Sequence, residues 1–217
     1  MAKVYTSKIN DFISKVGQGV KPNMFVVDIV FPTGSIGAGG SGTGPVTSEQ
    51  DKELVNIMCK SAALPASNLG VIEVPFRGRT IKIAGDRTFD TWSPTFINDK
   101  DFKVRAIMEQ WLEAINGHAG NTADLLTPLA GEANGYSAHI FVHQLEKGAT
   151  PESSNILRSY KLWYAFPTNV SQIDLGYDSN DQIEEFSTEF QYSYWTTEPI
   201  TSGARAGVTN RQINADT

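Results

Sequence analysis

The sequence predicts a mainly β domain, a sandwich or barrel of antiparallel strands, with one main α-helix and a short N-terminal helix. The predicted elements follow the order helix, strands, helix, strands, which differs from the repeating strand–helix order of a parallel sheet. The apolar share of 40% and the 22 aromatic residues (4 Trp, 7 Tyr and 11 Phe) are enough for a packed core. We therefore expect a single domain over residues 1–195, followed by a polar C-terminal tail over 196–217.

The first predicted element is a short amphipathic helix over residues 6–16. Its apolar residues recur at helical spacing: Ile9, Phe12, Ile13 and Val16. A strand is predicted over 23–31, where apolar residues on both faces favour burial on both sides.

A glycine-rich insertion follows at about residues 32–52. It contains the pattern G-x-G-x-x-G at Gly37, Gly39 and Gly42. A dinucleotide site needs that pattern directly after a strand and at the start of a helix. Here the predicted strand ends several residues earlier and Pro45 follows, so we interpret the segment as a solvated loop.

The middle of the chain is organised around the corner from Lys82 to Trp92. Gly85 is expected to supply a backbone conformation that other residues avoid, and Arg87 to pair with Asp86 or Asp90 across the corner. The elements predicted around it are a strand over 53–60 with Cys59 as a small buried group, a hairpin of 71–76 and 79–84, and a strand over 88–97. The alternation over 79–84 has the period of a half-buried strand.

The clearest helix is predicted over residues 101–116, with Asn98, Asp99 or Asp101 as candidate caps and Trp111 in its apolar face. A longer loop is expected at about 117–135. Further strands are predicted over 136–145, 156–166, 172–176 and 182–195.

The last predicted strand has an unusually clean alternation. Its apolar face is expected to hold Phe186, Thr188, Phe190, Tyr192 and Tyr194. Its other face carries four polar candidates for a functional surface: Glu185, Ser187, Glu189 and Gln191. This polar face either meets ordinary solvent or lines a channel.

Composition and motifs argue against several classes of function. A net charge of −6 is unsuited to gripping DNA or an anionic membrane, and no apolar run approaches the ~20 residues of a membrane span. His139 and His143 share a strand face but lie ~13 Å apart at ~3.3 Å per residue, too far to share one metal ion. We find no catalytic constellation, cofactor site or metal site, and we expect no enzyme.

Four segments occur in the order typical of one family. They are CKSAALP at 59–65, AGDRTFD at 84–90, a helix containing Trp111, and FPTNV at 166–170 followed by a strand ending at Tyr194-Trp195. Together they cover about residues 8–32 and 53–195. In these segments the chain resembles the tail tube proteins of contractile-tailed, T-even-like bacteriophages (myoviruses).

The resemblance implies a structural virion protein of the phage tail, made in the host cytoplasm. Subunits would form hexameric rings whose sheets join into a continuous inner β-barrel, and rings would stack into a conduit for DNA ejection. The implied partners are other copies of the chain, the tail sheath protein, baseplate and tail terminator proteins, and the tape-measure protein. DNA would pass without specific binding, and no membrane would be involved. The four polar candidates are expected to face the lumen, with the outside of the tube, towards the sheath, as the alternative.

Two other interpretations stay open at this point. The inner tube of a phage-tail-like contractile injection or secretion system would share this design but deliver protein. A β-sandwich binding module, such as a carbohydrate-binding domain, would show an aromatic platform on a soluble monomer, whereas the aromatics here alternate as core residues do.

Overall fold

The computed structural model describes residues 9–17, 19–32, 49–123, 125, 128, 135–146, 156–178 and 180–198. The glycine-rich pattern at 37–42, part of the predicted 117–135 loop and the tail beyond 198 lie outside this part of the chain. The helices are α1 (Ile9–Val16), α2 (Glu49–Ile57) and α3 (Lys103–Ile115). The strands are β1 (Phe25–Val30), β2 (Cys59–Ser61), β3 (Asn68–Phe76), β4 (Arg79–Thr88), β5 (Thr95–Ile97), β6 (Ala138–Leu145), β7 (Ile156–Val170), β8 (Glu185–Gln191) and β9 (Tyr194–Glu198).

Seven strands form one antiparallel sheet in the order β1-β6-β7-β8-β5-β2, with β9 paired to β7. The long strand β7 joins its two halves, because its first part pairs with β6 and β9 and its last part with β8. A bulge lies between these parts, where Trp163 and Tyr164 oppose His139 and Tyr164 has a φ of 55°. Such a bulge bends a strand, so β7 can turn the sheet around the core. The predicted mainly β, antiparallel fold is confirmed.

Helix α3 fills the inside of this curved sheet. Its buried face carries Val104, Ile107, Met108, Trp111 and Ala114. The Trp111 ring lies 5.4 Å from the ring of Phe31 after β1 and 5.9 Å from Phe190 in β8, and its indole N–H donates to the Tyr136 carbonyl at 2.8 Å. Trp111 is therefore core, as predicted. Phe102 stands at the N-cap of α3 without a side-chain cap hydrogen bond, so none of the three candidates is the N-cap residue. Asp99 nevertheless accepts a hydrogen bond from the Val104 N–H at 3.0 Å and so gives a partner to one N–H of the first helical turn.

The structure corrects the prediction of a strand over 53–60. Residues 49–57 form helix α2, and the strand β2 begins only at Cys59. Leu54, Val55 and Met58 are apolar at a spacing that a helix also satisfies, and Val55 is fully buried in the core. The helix lies against β1, so that β1 is buried on one face and covered along its edge rather than buried on both faces.

Other element predictions are also wrong in their extent. The predicted strand over 88–97 is reduced to Thr95–Ile97 plus an isolated bridge from Trp92 to Phe190, and residues 172–176 form no strand. The predicted strand over 182–195 is two strands, β8 and β9, which pair with different parts of β7. The break at residues 192–193 reverses the alternation, and Tyr194 is consequently 38% exposed rather than in the core.

Candidate functional site

The hairpin of β3 and β4, here called the hairpin arm (residues 68–88), is exposed along its length. Its two strands pair only with each other, in a separate two-stranded sheet. Arg77 and Gly78 form the turn with φ values of 44° and 80°, as a two-residue turn with two positive φ angles requires. The predicted hairpin is confirmed, but the half-buried strand expected over Arg79–Ala84 is wrong, because the arm leaves the core.

The arm has two chemically different faces. Strand pairing places Ile72 opposite Ile83, Val74 opposite Ile81 and Phe76 opposite Arg79. These five apolar side chains, here called the arm's apolar face, are 41–57% exposed. The opposite face is mixed and includes an exposed ion pair of Glu73 with Lys82 at 3.7 Å. The arm is thus an amphipathic hairpin with an uncovered apolar side.

The base of the arm explains the glycine at position 85. Gly85 has no positive φ; it lies in β4 against Gly70, where the pairing register shifts. A Cβ atom on Gly85 would lie 3.2 Å from the Gly70 carbonyl, and one on Gly70 would lie 3.1 Å from the Asp86 oxygen. Close backbone approach, and not a turn conformation as predicted, therefore favours glycine at both positions.

The predicted charge pairing at this corner is replaced by other contacts. Arg87 donates to the Ser67 hydroxyl, and Asp90 accepts from the Asn68 amide. The first contact joins β4 to the residue before β3, and the second joins the start of β3 to the segment after β4. The AGDRTFD stretch therefore lies at the base of the arm, where these two contacts join its ends.

Helix α1 is a second uncovered apolar surface. Ile9, Phe12, Ile13 and Val16 form one stripe, as predicted, and they are 47–75% exposed. In the described part of the chain, no other helix or strand packs closely against α1. Monomeric proteins rarely leave such apolar patches open, so both α1 and the arm indicate contacts with another chain.

The four polar candidates on β8 do share one outward face. Phe186, Thr188 and Phe190 alternate with them and are buried. The Lys60 ammonium pairs with the Glu185 carboxylate, and Gln191 donates to the Thr91 hydroxyl at 2.8 Å. The surface is polar, but Lys60 offsets the negative charge of Glu185. The sequence pattern does not predict this ion pair, because the two residues are 125 positions apart.

The outer face of β6, β7 and β9 is different in character, and we call it the aromatic face. It carries a cluster of rings from His139, Phe141, His143, Trp163, Tyr164 and Tyr194. The Lys161 ammonium lies 3.5 Å from the centre of the Trp163 ring and 5.3 Å from that of Phe141. The cluster was missed because only the bulge at Tyr164 brings Trp163 and Tyr164 to the same face.

Burial is the main cause of the shifted pKa values in the described part of the chain. Burial lowers the pKa of His139 and of His143, an effect that Lys161 strengthens at His139 and Asp28 opposes at His143. Burial raises the pKa of the half-buried Cys59 thiol to about 12, which disfavours the reactive thiolate. Among the described residues, no group of three or more His, Cys, Asp or Glu side chains could hold a metal ion, and no helix is long and apolar enough to cross a membrane.

Comparison with known proteins identifies the family to which the chain is similar. The profile of the phage tail tube protein family matches residues 20–198. The chain is 32% identical over 137 residues to the tail tube protein gp19 of Enterobacteria phage T4, covering 63% of this chain and 78% of that protein. It is 27% identical over 138 residues to the tail tube protein of Serratia phage KSP90, covering 64% and 72% respectively.

Solved structures show the same fold at low identity. A cryo-EM structure of the anti-feeding prophage tube terminating cap matches with a TM-score of 0.56 at 16% identity, over 91% of this chain and 99% of that one. The sheath–tube complex of an extracellular contractile injection system matches with a TM-score of 0.52 at 14% identity, over 88% and 99%. The uncovered arm and helix, the curved antiparallel sheet and these relatives lead to one conclusion: the chain belongs to the phage tail tube protein family and is a structural protein of the inner tube of a contractile bacteriophage tail, part of the virion.

Proposed function

We propose that copies of this chain form hexameric rings that stack into a tube, with their sheets joined into a continuous inner β-barrel through which DNA is ejected. The observation that supports this most directly is the hairpin arm, whose apolar face is uncovered on the single chain. An arm that projects from the core with an apolar face is suited to binding a neighbouring copy. Joining strands between copies would also remove exposed sheet edges.

We propose that the polar outer face of β8 lines the lumen. Glu185, Ser187, Glu189 and Gln191 present oxygen and amide groups, and Lys60 neutralises Glu185. Glu189 would then carry most of this face's net charge, once per copy. A weakly negative, polar wall repels phosphates at close range and gives bases no apolar surface on which to stack. The aromatic face, with Lys161 among its rings, would have the opposite effect on DNA.

The proposed tube implies a set of protein partners. They are the tail sheath protein, baseplate and tail terminator proteins and the tape-measure protein, with no membrane. Support comes from similar folds in a baseplate and a tube terminating cap of the anti-feeding prophage and in the sheath–tube complex of an injection system. The cargo is proposed to be DNA, as the T4-like relatives are tail tube proteins of phages. The role is proposed to be purely structural, without catalysis.

A binding module remains the contrasting proposal from another class. It would use an exposed aromatic platform, and the aromatic face is the place where one could exist. However, the chain's own Lys161 lies over the Trp163 ring at 3.5 Å, where a sugar ring would have to stack. This contact favours the tube over a carbohydrate-binding module.

Negative-stain electron microscopy of the purified full-length chain tests the proposal. We expect rings or tubes with sixfold symmetry, alone or after seeding with purified baseplates. Sedimentation across protein and salt concentrations provides the matching solution measurement. A stable monomer under all of these conditions, with baseplates present, would overturn the proposed function.

A further inference from the structure

Each copy of the chain exposes two apolar surfaces of different shape. The hairpin arm offers an apolar face of two strands, formed by Ile72, Val74, Phe76, Ile81 and Ile83. Helix α1 offers a convex stripe formed by Ile9, Phe12, Ile13 and Val16. An amphipathic helix that packs its apolar side against an apolar surface of a partner is a recurring mode of protein recognition.

The two surfaces match in length. From Ile9 to Val16 the helix stripe spans roughly 10 Å, at about 1.5 Å per residue. From Ile72 to Phe76 the apolar face of the arm spans about 13 Å, at ~3.3 Å per residue. The helix can therefore cover the arm without leaving a large part of either surface exposed.

The two surfaces do not meet within one copy. Strands β3 and β4 pair only with each other, and in the described part of the chain neither α1 nor the arm packs against the other. A contact from α1 of one copy to the arm of the next uses two different patches, so each copy still has one free surface of each kind. Such heterologous contacts propagate, as a ring or a helical stack requires.

The polar sides of both elements support this orientation. The arm's opposite face carries the Glu73–Lys82 ion pair, whose side chains are 61% and 71% exposed. Ser14, which lies about 100° or more around the helix from each of the four stripe residues at 3.6 residues per turn, is exposed. Docking apolar side to apolar side would leave both polar sides in solvent.

We infer that helix α1 of one copy binds the apolar face of the hairpin arm of a second copy, so that its stripe packs across the row formed by Val74 and Ile81. The inference rests on the proposed tube, since it names a contact between copies within that assembly. In this contact, helix α1 of a neighbouring copy covers the apolar face of the arm.

Disulfide trapping tests this contact in assembled tubes. The variant Phe12→Cys/Ile81→Cys, in a Cys59→Ala background, places the thiols in the centre of the two surfaces. Disulfides form only where Cα atoms come within about 4.4–6.8 Å. We expect oxidised tubes to give a ladder of covalent multimers on non-reducing gels, and mixed tubes of the two single variants to give covalent dimers.

In each of two matched controls, one of the two cysteines is moved to the face of its element that points away from the proposed contact. Phe12→Cys/Thr80→Cys uses the other face of the arm, and Ser14→Cys/Ile81→Cys uses the other face of α1. Both should cross-link at least about tenfold less, because their Cβ atoms point away from the contact. Tubes that form but cross-link no more than these controls would overturn the inference and leave the proposed function standing. A cross-linked double variant that stays monomeric would show docking within one copy and would also overturn it.

A charge-swap series covers the case in which the cysteine variants do not assemble. Phe12→Glu and Ile81→Lys should each raise the protein concentration needed for tube formation by roughly tenfold or more, because each would bury an unpaired charge. The combination Phe12→Glu/Ile81→Lys should restore much of the assembly. Equal or worse assembly by the combination would contradict the contact. Failure of the unmodified chain to assemble, with baseplates present, would instead contradict the proposed function, and the inference with it.

Discussion

Asn56 in helix α2 closes the edge of strand β1 at Ile29. Its Oδ1 atom accepts a hydrogen bond from the Ile29 N–H at 3.1 Å, and its Nδ2 atom donates to the Asp28 carboxylate at 2.8 Å. One side chain thus replaces part of the hydrogen bonding that another strand would supply at this edge.

Replacing Asn56 with Ala should destabilise the folded protomer by about 1–3 kcal/mol, because a partly buried N–H loses its acceptor. Chemical denaturation measured by tryptophan fluorescence gives the free energy of unfolding. Asn169→Ala, at an exposed position of β7, is the control and should change stability little. Equal stability of the two variants would show that water replaces the amide without cost.

Acidification should weaken the fold through His139 and His143. Burial lowers their folded-state pKa below the usual value of 6.5, so the unfolded chain binds protons that the folded chain does not. The contribution of these two histidines to stability is complete above pH 6.5 and is lost as the pH falls from there toward their folded-state pKa. Denaturation between pH 5 and 8 should show this slope, and His139→Gln/His143→Gln should flatten it. A slope that stays unchanged in the His139→Gln/His143→Gln variant would show that burial of the two strand histidines is not its cause.

Cys59 should react slowly with thiol reagents in the folded protein. Burial raises the pKa of its thiol to about 12, so little thiolate exists near neutral pH. The rate of reaction with a chromogenic disulfide at pH 8 should rise by orders of magnitude on unfolding in denaturant. A rate in the native protein close to that of the unfolded chain would contradict this environment.

The proposed lumen can be tested at Glu189. Glu189→Lys should leave tube assembly intact but slow DNA ejection, most strongly at low salt, where the attraction between lysine and phosphate is screened least. Glu189 is the better single position, since Glu185→Lys would also place a second cation beside Lys60. The double variant Glu185→Lys/Glu189→Lys should enlarge the effect.

Glu113→Lys on the exposed side of α3 makes the same change of charge elsewhere and serves as the control. Its side chain is 61% exposed. Ejection that is equally fast in the Glu189→Lys and Glu113→Lys particles would count against the lumen assignment. A density map of the tube with Glu189 on its outer surface would exclude it.

Shortening the glycine-rich segment from residue 34 to 44 should hardly change the stability of the protomer. Its composition cannot form a packed core, and loop length changes closure entropy only slowly. A deletion of these residues should shift the free energy of unfolding by no more than about 1 kcal/mol. A loss of several kcal/mol would show that the segment is structural.

The sequence predicts best where one face of an element is buried against its own chain. The apolar positions of α3 and the alternation from Phe186 to Phe190 identify core residues correctly, because burial imposes a period on them. Leu54 and Val55 are adjacent apolar residues, a short pattern that fits either a strand or a helix. The sequence therefore predicts a strand where the structure has helix α2. Its contact with β1 is a tertiary feature that no local pattern contains.

The surfaces that point to function were harder to predict. Alternation at Ile81 and Ile83 indicated a half-buried strand, and burial by another chain leaves the same pattern as burial by the chain's own core. The Lys60–Glu185 pair and the aromatic face depend on strand pairing and on one bulge, which spacing along the sequence does not determine. The polar face of β8 was predictable because it needs only the period of a strand.

The close approach of Gly70 and Gly85 also limits errors in strand register, which would change the face that the arm presents to a neighbouring copy in the proposed tube. A slip of one residue between β3 and β4 would exchange the apolar and polar faces of the arm. The two backbones approach so closely at these glycines that a Cβ atom on Gly85 would lie 3.2 Å from Gly70, which ties the pairing to this one register. In the proposed tube, every copy would then present its arm with the same face toward its neighbour, so that one way of docking is repeated along the assembly. Two residues without side chains would thus help to keep the contacts between copies uniform.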